Sequence, residues 1–434
     1  MNFAMCTRDI NDRHISSITF FFPYYEVSGV PVQFSRMAHY IAENHGIETR
    51  IIDYPDGYMS TTLRKKNAPV KVIPYREGRP IAIMPDTILV MQSILPSLIR
   101  PELDIHPQTR ILFWTLHQMN LIQTFIPISW FRSLQARYIG LNKYIMVVFM
   151  SSIRKELRKL VCSMIMKKAL IFPDGSTYNY TLQSLGLPIG MPFFVPVPTG
   201  KISENRKKQI RNRNLCKELS FGWLGRISDF KMPTLMYTVK KLSQYAVKKR
   251  FPITMHIIGD GSGKVRLKKM NAENEYFQIH YVGTLTGRFR DKYLVDKVDV
   301  LAAMGTSALD GARLGIPTLL LDIAYSNVSD GYIYRWIFDV RDFSMGEILN
   351  NSHFEKGNDS LESAICSAKN EYMEISAKSF EYCMRNHSIS SVCGKFINAL
   401  EEASFYYGDF SPAILKKGFI RKSYEFMRRT INSF

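Results

Sequence analysis

Short apolar runs and amphipathic stretches alternate along most of the chain. Residues 18–23 form a compact apolar and aromatic run, and residues 33–44 carry apolar side chains at positions i, i+3, i+4 and i+7. The first pattern indicates a buried strand and the second an amphipathic helix. Further strands are predicted at 49–54, 70–74, 87–92, 110–115, 169–172 and 193–197. This alternation is typical of a parallel sheet covered by helices.

The same alternation returns in the second half of the chain. Strands are predicted at 219–224, 253–258, 277–282, 298–303 and 317–321. Helices are predicted at 233–249 and 308–314, and residues 360–404 have a helical pattern. The segment between the two halves, residues 198–216, is polar and basic without apolar periodicity, which is typical of a boundary between domains.

The pattern therefore predicts an α/β protein with two Rossmann-like lobes whose parallel sheets face a cleft. We predict an N-terminal lobe at 1–197, a basic linker at 198–216, a C-terminal lobe at 217–400 and a basic helical segment at 401–434. A chain of 434 residues is also too long for one ordinary core.

Composition adds a preference for acidic partners. Fifty-seven Lys and Arg against 38 Asp and Glu give a formal net charge of +19. This excess favours nucleotide phosphates, anionic lipid headgroups or nucleic acid, and does not choose among them. The six cysteines form no C-x-x-C pair, and the N-terminus lacks the apolar core of a signal peptide. Together these features predict a cytoplasmic protein with reduced thiols.

The first chemical feature of the second half follows its first predicted strand. Gly225 ends that strand, and Arg226 and Lys231 stand five residues apart in the loop after it. Because ligands of doubly wound sheets bind at the carboxyl ends of strands, two cations there suit a diphosphate. They would also stabilise the negative charge that builds on a leaving nucleotide. The alternative is a solvated Arg and Lys in a basic protein.

Two further glycine-bearing turns follow the next strands. Gly259-Asp260-Gly261 ends one strand, and Tyr281-Val282-Gly283 ends another. A glycine-rich turn of the first kind either cradles a phosphate or simply makes a tight connection, and its spacing is not that of a dinucleotide-binding fingerprint. The second turn is compatible with an ordinary strand–helix connection.

The fourth feature lies between the last two predicted strands. Gly305, Thr306 and Ser307 join a strand end to a helix start, where free N–H groups favour an anion such as a distal phosphate. Asp310 lies one turn into that helix, where it could accept hydrogen bonds from a ribose diol. The alternative is a capping box formed by Ser307 and Asp310, and both readings are open at this stage.

The order and spacing of these features resemble the retaining GT-B glycosyltransferases, the large group that includes sucrose synthase and many bacterial polysaccharide enzymes. The resemblance covers residues 218–322 and ends in Asp310-Gly-Ala-Arg-Leu-Gly-Ile-Pro317. It implies the GT-B fold, a nucleotide-sugar donor and hexosyl transfer to a lipid-linked or polysaccharide acceptor in bacterial surface polysaccharide synthesis. It also implies that Gly29 lies in a loop near the donor phosphates and that His117 orients the acceptor.

The chain departs from the family pattern at one position. Asp310 replaces the second of two Glu residues, and the first has no counterpart, since Ala302 stands eight residues before Asp310. In that family the first Glu contacts the donor sugar, so the stereochemical outcome stays open. No Asp-x-Asp triplet occurs in the chain, which predicts transfer without a divalent metal and without a cofactor.

Two basic, partly apolar segments extend the predicted set of partners. Residues 151–168 and the C-terminal basic segment combine cations with apolar residues at helical spacing, a pattern that suits an anionic membrane surface. The alternative is that both apolar stripes face the core. Competing functions are a nucleotide-sugar epimerase of similar architecture, a catalytically inactive GT-B subunit, and a basic nucleic-acid-binding protein. No nucleic-acid recognition module occurs in the sequence, so no nucleic-acid partner is predicted.

Overall fold

The computed structural model describes most of the chain, with several gaps. Described are residues 15–26, 28–116, 121, 151–188, 190–200, 215, 217–228, 230–357 and 360–416, with side chains from residue 154 on in the helix that starts at 151. Within them the chain forms two compact units. The first comprises residues up to Pro173, Thr177–Val195 and residues from Cys393 on, and the second comprises Asp174–Ser176 and Pro196–Val392.

A six-stranded sheet with the order β3-β2-β1-β5-β7-β8 forms the centre of the first unit. Its strands are β1 (Ser17–Phe21), β2 (Glu48–Asp53), β3 (Lys71–Pro74), β5 (Thr87–Gln92), β7 (Arg110–Trp114) and β8 (Leu170–Ile171). A separate pair joins β4 (Ile81–Ile83) to β6 (Leu103–Ile105). All these pairings are parallel, and every residue of β1 is buried, as expected for a strand covered on both faces.

Helices that cover this sheet follow the predicted periodicity. The helices of this part of the chain are α1 (Gly29–Asn44), α2 (Tyr58–Lys65), α3 (Ser151–Met166) and α4 (Gly175–Leu185). Helix α1 buries Phe34, Met37 and Ile41 completely. Its Phe34 ring lies 5.2 Å from that of Phe20 in β1. The apolar side chains at positions i, i+3 and i+7 therefore pack helix α1 against the sheet.

The apolar stripe of helix α3 is also part of the core. Leu157, Val161 and Met164 are almost completely buried. Arg154 and Arg158 both donate to the carbonyl of Leu185 at the end of α4, with N···O distances of 3.0 and 3.1 Å. Of the two readings of this segment, the one in which its stripe faces the core is correct, because the stripe is covered by the unit to which the helix belongs.

A second six-stranded sheet, with the order β11-β10-β9-β12-β13-β14, forms the centre of the second unit. Its strands are β9 (Leu219–Leu224), β10 (Ile253–Ile258), β11 (Phe277–Gly283), β12 (Val300–Ala303), β13 (Thr318–Leu320) and β14 (Arg335–Trp336). All pairings are parallel except that of β13 with β14. In both units the order reverses after the first strand, which is the arrangement of a doubly wound sheet.

The remaining helices alternate with these strands and then follow one another. They are α5 (Met232–Lys249), α6 (Lys264–Lys268), α7 (Gly287–Lys297), α8 (Thr306–Ala312), α9 (Ser360–Asn370), α10 (Tyr372–His387), α11 (Ile389–Glu402) and α12 (Pro412–Leu415). Most of α11 belongs to the first unit. There Phe396 stacks on Phe20 and Trp114, with ring centroids 5.9 and 5.0 Å apart.

The unit boundaries therefore differ from the predicted lobes. The long segment of the second unit begins at Pro196 rather than after a linker at 198–216, most of which lies outside the described residues. It ends at Val392 rather than at residue 400, because the apolar face of α11 packs on the first unit's sheet. The C-terminal basic segment predicted at 401–434 is described only as far as residue 416.

For some strands, the local pattern of apolar and polar residues was not sufficient to predict their presence or bounds. Strands β9 and β10 have the predicted bounds, whereas residues 193–197 form only an isolated bridge, between Phe194 and Phe172. The three-residue strands β4 and β6 and the two-residue β14 were not predicted, because such short strands carry too few side chains for an alternating pattern. In the part of the chain that the structure describes, no helix is long and apolar enough to cross a membrane.

Candidate functional site

The strand order of the second sheet reverses at β9, which lies between β10 and β12. Connections that leave β9 and β12 at their carboxyl ends therefore turn to opposite faces of the sheet, and the crevice between them is where doubly wound sheets bind ligands. Gly225 follows β9, and Gly305 follows β12. The topology thus brings the first and fourth sequence features to the same crevice.

The loop after β9 and the turn after β10 are in direct backbone contact. Gly225 donates its N–H to the carbonyl of Ile258 at 3.0 Å. A Cβ atom added to Gly259 would lie only 2.0 Å from the Gly225 carbonyl oxygen, and Gly259 has a φ of 146°. Both the contact and the backbone conformation exclude a side chain at Gly259.

Gly261, the second glycine of this turn, makes the same kind of close contact with a later residue of the loop after β9. A Cβ atom on Gly261 would lie 2.3 Å from the Ile227 carbonyl oxygen, and the Ile227 N–H donates to the Asp260 carbonyl at 2.9 Å. The Gly259 N–H donates to Gly283 at the end of β11, at 2.8 Å. These glycines are therefore required for tight packing of three strand-end loops, whether or not a ligand is bound.

Two polar side chains from different loops converge on Gly225. A Cβ atom placed there would lie 3.5 Å from the Lys231 ammonium nitrogen and 3.5 Å from the Ser307 hydroxyl oxygen. Lys231 precedes α5 at its N-cap position, and Ser307 is the second residue of α8. The ammonium and the hydroxyl therefore both lie on the side of Gly225 where another residue would carry its side chain.

Lys231 is held in an electrostatically unfavourable position. Burial, with a further contribution from the nearby charge of Arg226, lowers the pKa of the Lys231 amine below its ordinary value. Arg226 itself is exposed. Among the described residues, no carboxylate lies within ion-pair distance of either cation. A bound anion would remove both the desolvation cost and the repulsion, so the pair is suited to a phosphate group.

The loop that carries Ser307 is shaped for close approach. Gly305 is the N-cap residue of α8 with a φ of 62°, and its N–H donates to the Met345 carbonyl at 2.6 Å. Thr306 is exposed and Ser307 is half-buried. Helix α8 has only seven residues.

Asp310 is engaged by two arginines. Its carboxylate forms a bidentate ion pair with Arg290 of α7, at 2.8 and 2.9 Å, and accepts from Arg313 Nε at 3.1 Å. Arg313 is buried and also pairs with Asp291 at 2.7 Å. Arg313 lies in the Asp310–Pro317 motif, but the sequence features did not include Arg290, which lies twenty residues before Asp310 in the chain and carries no motif.

The capping-box reading of Asp310 is wrong. Helix α8 begins at Thr306 with Gly305 as its N-cap, and no side chain caps it. Ser307 therefore lies inside the helix, two positions after the N-cap residue, and the Asp310 side chain points to Arg290 and Arg313 instead. The reason is the glycine: with Gly305 as the N-cap residue, the helix starts two residues earlier than it would with Ser307 as the cap.

The sequence also predicts two site residues in the N-terminal half, Gly29 and His117. Gly29 begins α1 in the first unit, and an added Cβ would meet no atom within 4 Å, so nothing in the structure requires glycine there. His117 lies outside the described residues. Within the described ranges, no three His, Cys, Asp or Glu side chains are grouped so that they could hold a metal ion.

Comparison with known proteins gives structural matches only. No family model matches the chain, and no curated protein matches it. The structure of Anabaena HepE in complex with UDP and glucose is 12% identical with a TM-score of 0.50, over 89% of this chain and 99% of that chain. A Rickettsia africae glycosyltransferase is 12% identical with a TM-score of 0.51, over 89% and 98% of the two chains. Staphylococcal TarM is 13% identical with a TM-score of 0.52, over 90% and 99%.

The fold is that of a two-lobed, doubly wound α/β protein, with Arg226, Lys231 and Ser307 at the carboxyl edge of its second sheet. The matched structures are GT-B glycosyltransferases, and the match extends over almost the whole of each of them. At these identities the likeness establishes the fold. The chain has the GT-B fold, as the sequence predicts.

We expect Gly259→Ala to lower the free energy of unfolding by roughly 2 kcal/mol or more, because the methyl group meets the Gly225 carbonyl and the residue has a positive φ. Urea denaturation monitored by circular dichroism measures the effect. Gly394→Ala is the matched control, since that glycine lies within helix α11 with no atom within 4 Å of an added Cβ. It should be neutral or stabilising by up to about 1 kcal/mol. Equal stability of the two variants would contradict the described backbone contact.

Proposed function

We propose that this chain is a hexosyltransferase that moves a sugar from a nucleotide-sugar donor to a glycan or lipid-linked glycan acceptor. The observation that carries the proposal is the convergence of the Lys231 ammonium and the Ser307 hydroxyl on Gly225, beside Arg226. Two cations and a hydroxyl around an open glycine match a diphosphate in charge and in hydrogen-bonding capacity. Anabaena HepE, which has the same fold, was crystallised with UDP and glucose.

The same groups account for the chemistry of transfer. When the bond between the sugar and the distal phosphate breaks, negative charge builds on the leaving diphosphate. Lys231 and Arg226 then stabilise this charge more strongly than they stabilise the donor before reaction, which is the requirement for catalysis. In this proposal Ser307 donates a hydrogen bond to a phosphate oxygen, whereas the Gly305 N–H already donates to the Met345 carbonyl.

The acceptor side of the proposal depends on the first unit. We assign His117 the role of orienting the acceptor hydroxyl, by its resemblance to the histidine at the same strand end of related enzymes. An imidazole suits this role because it both donates and accepts hydrogen bonds near neutral pH. A cytoplasmic location, at or near an anionic membrane surface, belongs to the same proposal and is supported by the net charge of +19.

Lys231→Ala should weaken the binding of a nucleoside diphosphate by roughly tenfold or more, because it removes a charge-assisted contact worth about 1.5–3 kcal/mol. Titration calorimetry with UDP, GDP and ADP gives the affinity and also identifies the nucleotide. Lys240→Ala is the control, since Lys240 is an exposed lysine of the same helix, α5, and carries the same formal charge. An equal loss of affinity in both variants would contradict a specific contact and would mean that the basic protein attracts the nucleotide only by its overall charge.

The pH dependence of binding provides a second measure of Lys231. A neutral amine cannot pair with a phosphate, and the pKa of Lys231 lies below its ordinary 10.5. Affinity should therefore fall as the pH rises through this lowered pKa, before an unperturbed lysine would lose its proton. The Lys231→Arg variant should not show this decline, because a guanidinium stays charged.

We propose that Asp310 binds the donor ribose while it keeps its ion pairs with Arg290 and Arg313. A carboxylate has about four acceptor positions, and Arg290 and Arg313 occupy three of those of Asp310. Asp310→Asn should thus raise the donor KM by about tenfold and also lower the free energy of unfolding by about 1–3 kcal/mol. Loss of stability with an unchanged KM would leave Asp310 a purely structural residue.

The control for Asp310 is a carboxylate with a similar but exposed ion pair. Asp296 pairs with Lys292 four residues earlier on the surface of α7, at 2.6 Å. Surface pairs of this kind contribute little, so Asp296→Asn should change the free energy of unfolding by no more than about 0.5 kcal/mol and leave the KM unchanged.

Turnover should continue in the presence of EDTA. We expect this because Arg226 and Lys231 supply the positive charge that a divalent ion supplies in other transferases. The measurement is sugar transfer from the donor identified by calorimetry, with EDTA in excess and with Mg²⁺ or Mn²⁺ added back. Abolition of transfer by EDTA and its recovery with either ion would show that a metal takes part.

A further inference from the structure

A completely buried carboxylate lies just after strand β13 of the second sheet. Its residue is Asp322, and its Oδ1 and Oδ2 atoms lie 2.7 and 2.9 Å from Arg335 Nη2. The Tyr332 hydroxyl donates to Oδ2 at 2.9 Å, and the backbone N–H of Glu347 donates to Oδ1 at 2.8 Å. The bond from Glu347 joins the end of β13 to a segment that lies 25 residues further along the chain.

The residue after Asp322 pairs with the same segment, residues 345–349. The Ile323 N–H donates to the Glu347 carbonyl at 2.7 Å, and the Leu349 N–H donates to the Ile323 carbonyl at 2.9 Å. Together with the bond from Glu347 to Asp322, these two bonds fix the backbone of the segment relative to the end of β13. The position of residues 345–349 therefore depends on Asp322 and on the residue directly after it.

One end of this segment contacts a loop of the candidate donor site. The Met345 carbonyl accepts the Gly305 N–H at 2.6 Å. Gly305 is the N-cap residue of α8, and Ser307, whose hydroxyl approaches Gly225, follows two residues later. A shift of Met345 would therefore also move the loop that carries the Ser307 hydroxyl.

The chain after Asp322 also contacts the other loop of the site. The N–H of Ala324, a buried residue, donates to the Phe230 carbonyl at 3.0 Å, and Phe230 directly precedes Lys231. The same short stretch of chain is thus bonded to both loops of the site, to one directly and to the other through a single segment.

The alternative is that Asp322 and Arg335 form an ion pair that serves stability alone. Burial of two opposite charges costs about as much free energy as their attraction returns, and apolar side chains of similar size often give equal stability. Asp322 differs from a simple ion pair because its Oδ1 atom also accepts the Glu347 N–H. What this carboxylate supplies beyond an apolar side chain is therefore a defined position of residues 345–349.

We propose that Asp322 is a positioning residue of the donor site. It holds residues 345–349 against the end of β13, and these hold the Gly305 loop at the place from which the Ser307 hydroxyl donates to the diphosphate. Asp322 itself does not touch the nucleotide. The inference rests on the proposed transferase function and adds to it a residue that was not among the predicted site residues.

Calorimetry of the full chain with UDP, GDP and ADP tests this role. Asp322→Ala should weaken nucleotide binding by about threefold to tenfold, because a misplaced Ser307 loses about one hydrogen bond to the diphosphate. Asp53→Ala is the matched control, since Asp53 is another completely buried carboxylate at a strand end and accepts three backbone N–H groups in the first unit. Both variants should lower the midpoint of urea denaturation, but only Asp322→Ala should lower the affinity.

A double-mutant cycle shows whether Asp322 acts through Ser307. Ser307→Ala alone should also weaken binding by about threefold to tenfold. When both substitutions are combined, the loss of affinity should be smaller than the product of the two single losses, because the second change removes a hydroxyl that is already misplaced. A loss equal to that product would mean two independent effects and would overturn the proposal.

A milder pair of variants applies if Asp322→Ala does not fold. Tyr332→Phe removes the hydroxyl that donates to Asp322 and keeps the ring, and it should weaken nucleotide binding by about twofold or more. Tyr75→Phe is its control, since Tyr75 is also buried and its hydroxyl donates to a carboxylate, that of Glu102, in the first unit. An unchanged affinity in Tyr332→Phe, or an equal loss in Tyr75→Phe, overturns the positioning role.

Failure of the donor site and failure of the positioning role are separate results. If Lys231→Ala leaves the nucleotide affinity unchanged, the proposed donor site is wrong, and the role of Asp322 is refuted with it. If the affinity depends on Lys231 and Ser307 but not on Asp322, the donor site stands and Asp322 serves stability alone.

Discussion

The candidate donor site depends on the contact between two backbones. The loop after β9 and the turn after β10 approach so closely that the Gly225 carbonyl occupies the space of a Gly259 side chain. This contact fixes the position at which β9 ends and the loop that leads to Lys231 begins. Only with Gly225 in place can the lysine and the Ser307 hydroxyl, from different connections, approach one point. The site is thus positioned by backbone packing first and by side-chain chemistry second.

Charge is the second constraint on this site. Lys231 is partly withdrawn from water beside Arg226, with no carboxylate of the described residues to balance either cation. Such an arrangement costs free energy in the folded protein, and a nearby anion would offset this cost. The neighbouring cluster around Asp310 shows the contrast. There two arginines are matched by two aspartates, and the charges stabilise the packing of α7 on α8.

Local pattern predicted the parts of the fold that are periodic and the parts of the site that are consecutive in sequence. The buried runs that became β9 and β10, and the five-residue separation of Arg226 and Lys231, can both be recognised within a short window. Long-range packing could not be recognised in this way. Helix α11 shows one apolar face in the sequence, but nothing in that periodicity says that Phe396 packs on Trp114 of the first unit. The ion pair of Asp310 with Arg290 could not be predicted from the sequence for the same reason.

The two units share one sheet topology, but the side chains at their crevices differ in chemistry. Each sheet reverses its strand order after its first strand, and each opens a crevice at that point. In the second unit the crevice is edged by glycines, cations and a hydroxyl, which suits a charged, strongly hydrated group. In the first unit the described residues that line it are mainly aromatic and aliphatic, with Tyr24, Gln92, Ser93 and Arg100 as the polar ones. Because topology fixes only where a crevice forms, the side chains at the strand ends decide what it binds. A shared fold at 12% identity therefore leaves the substrates to be read from those few residues.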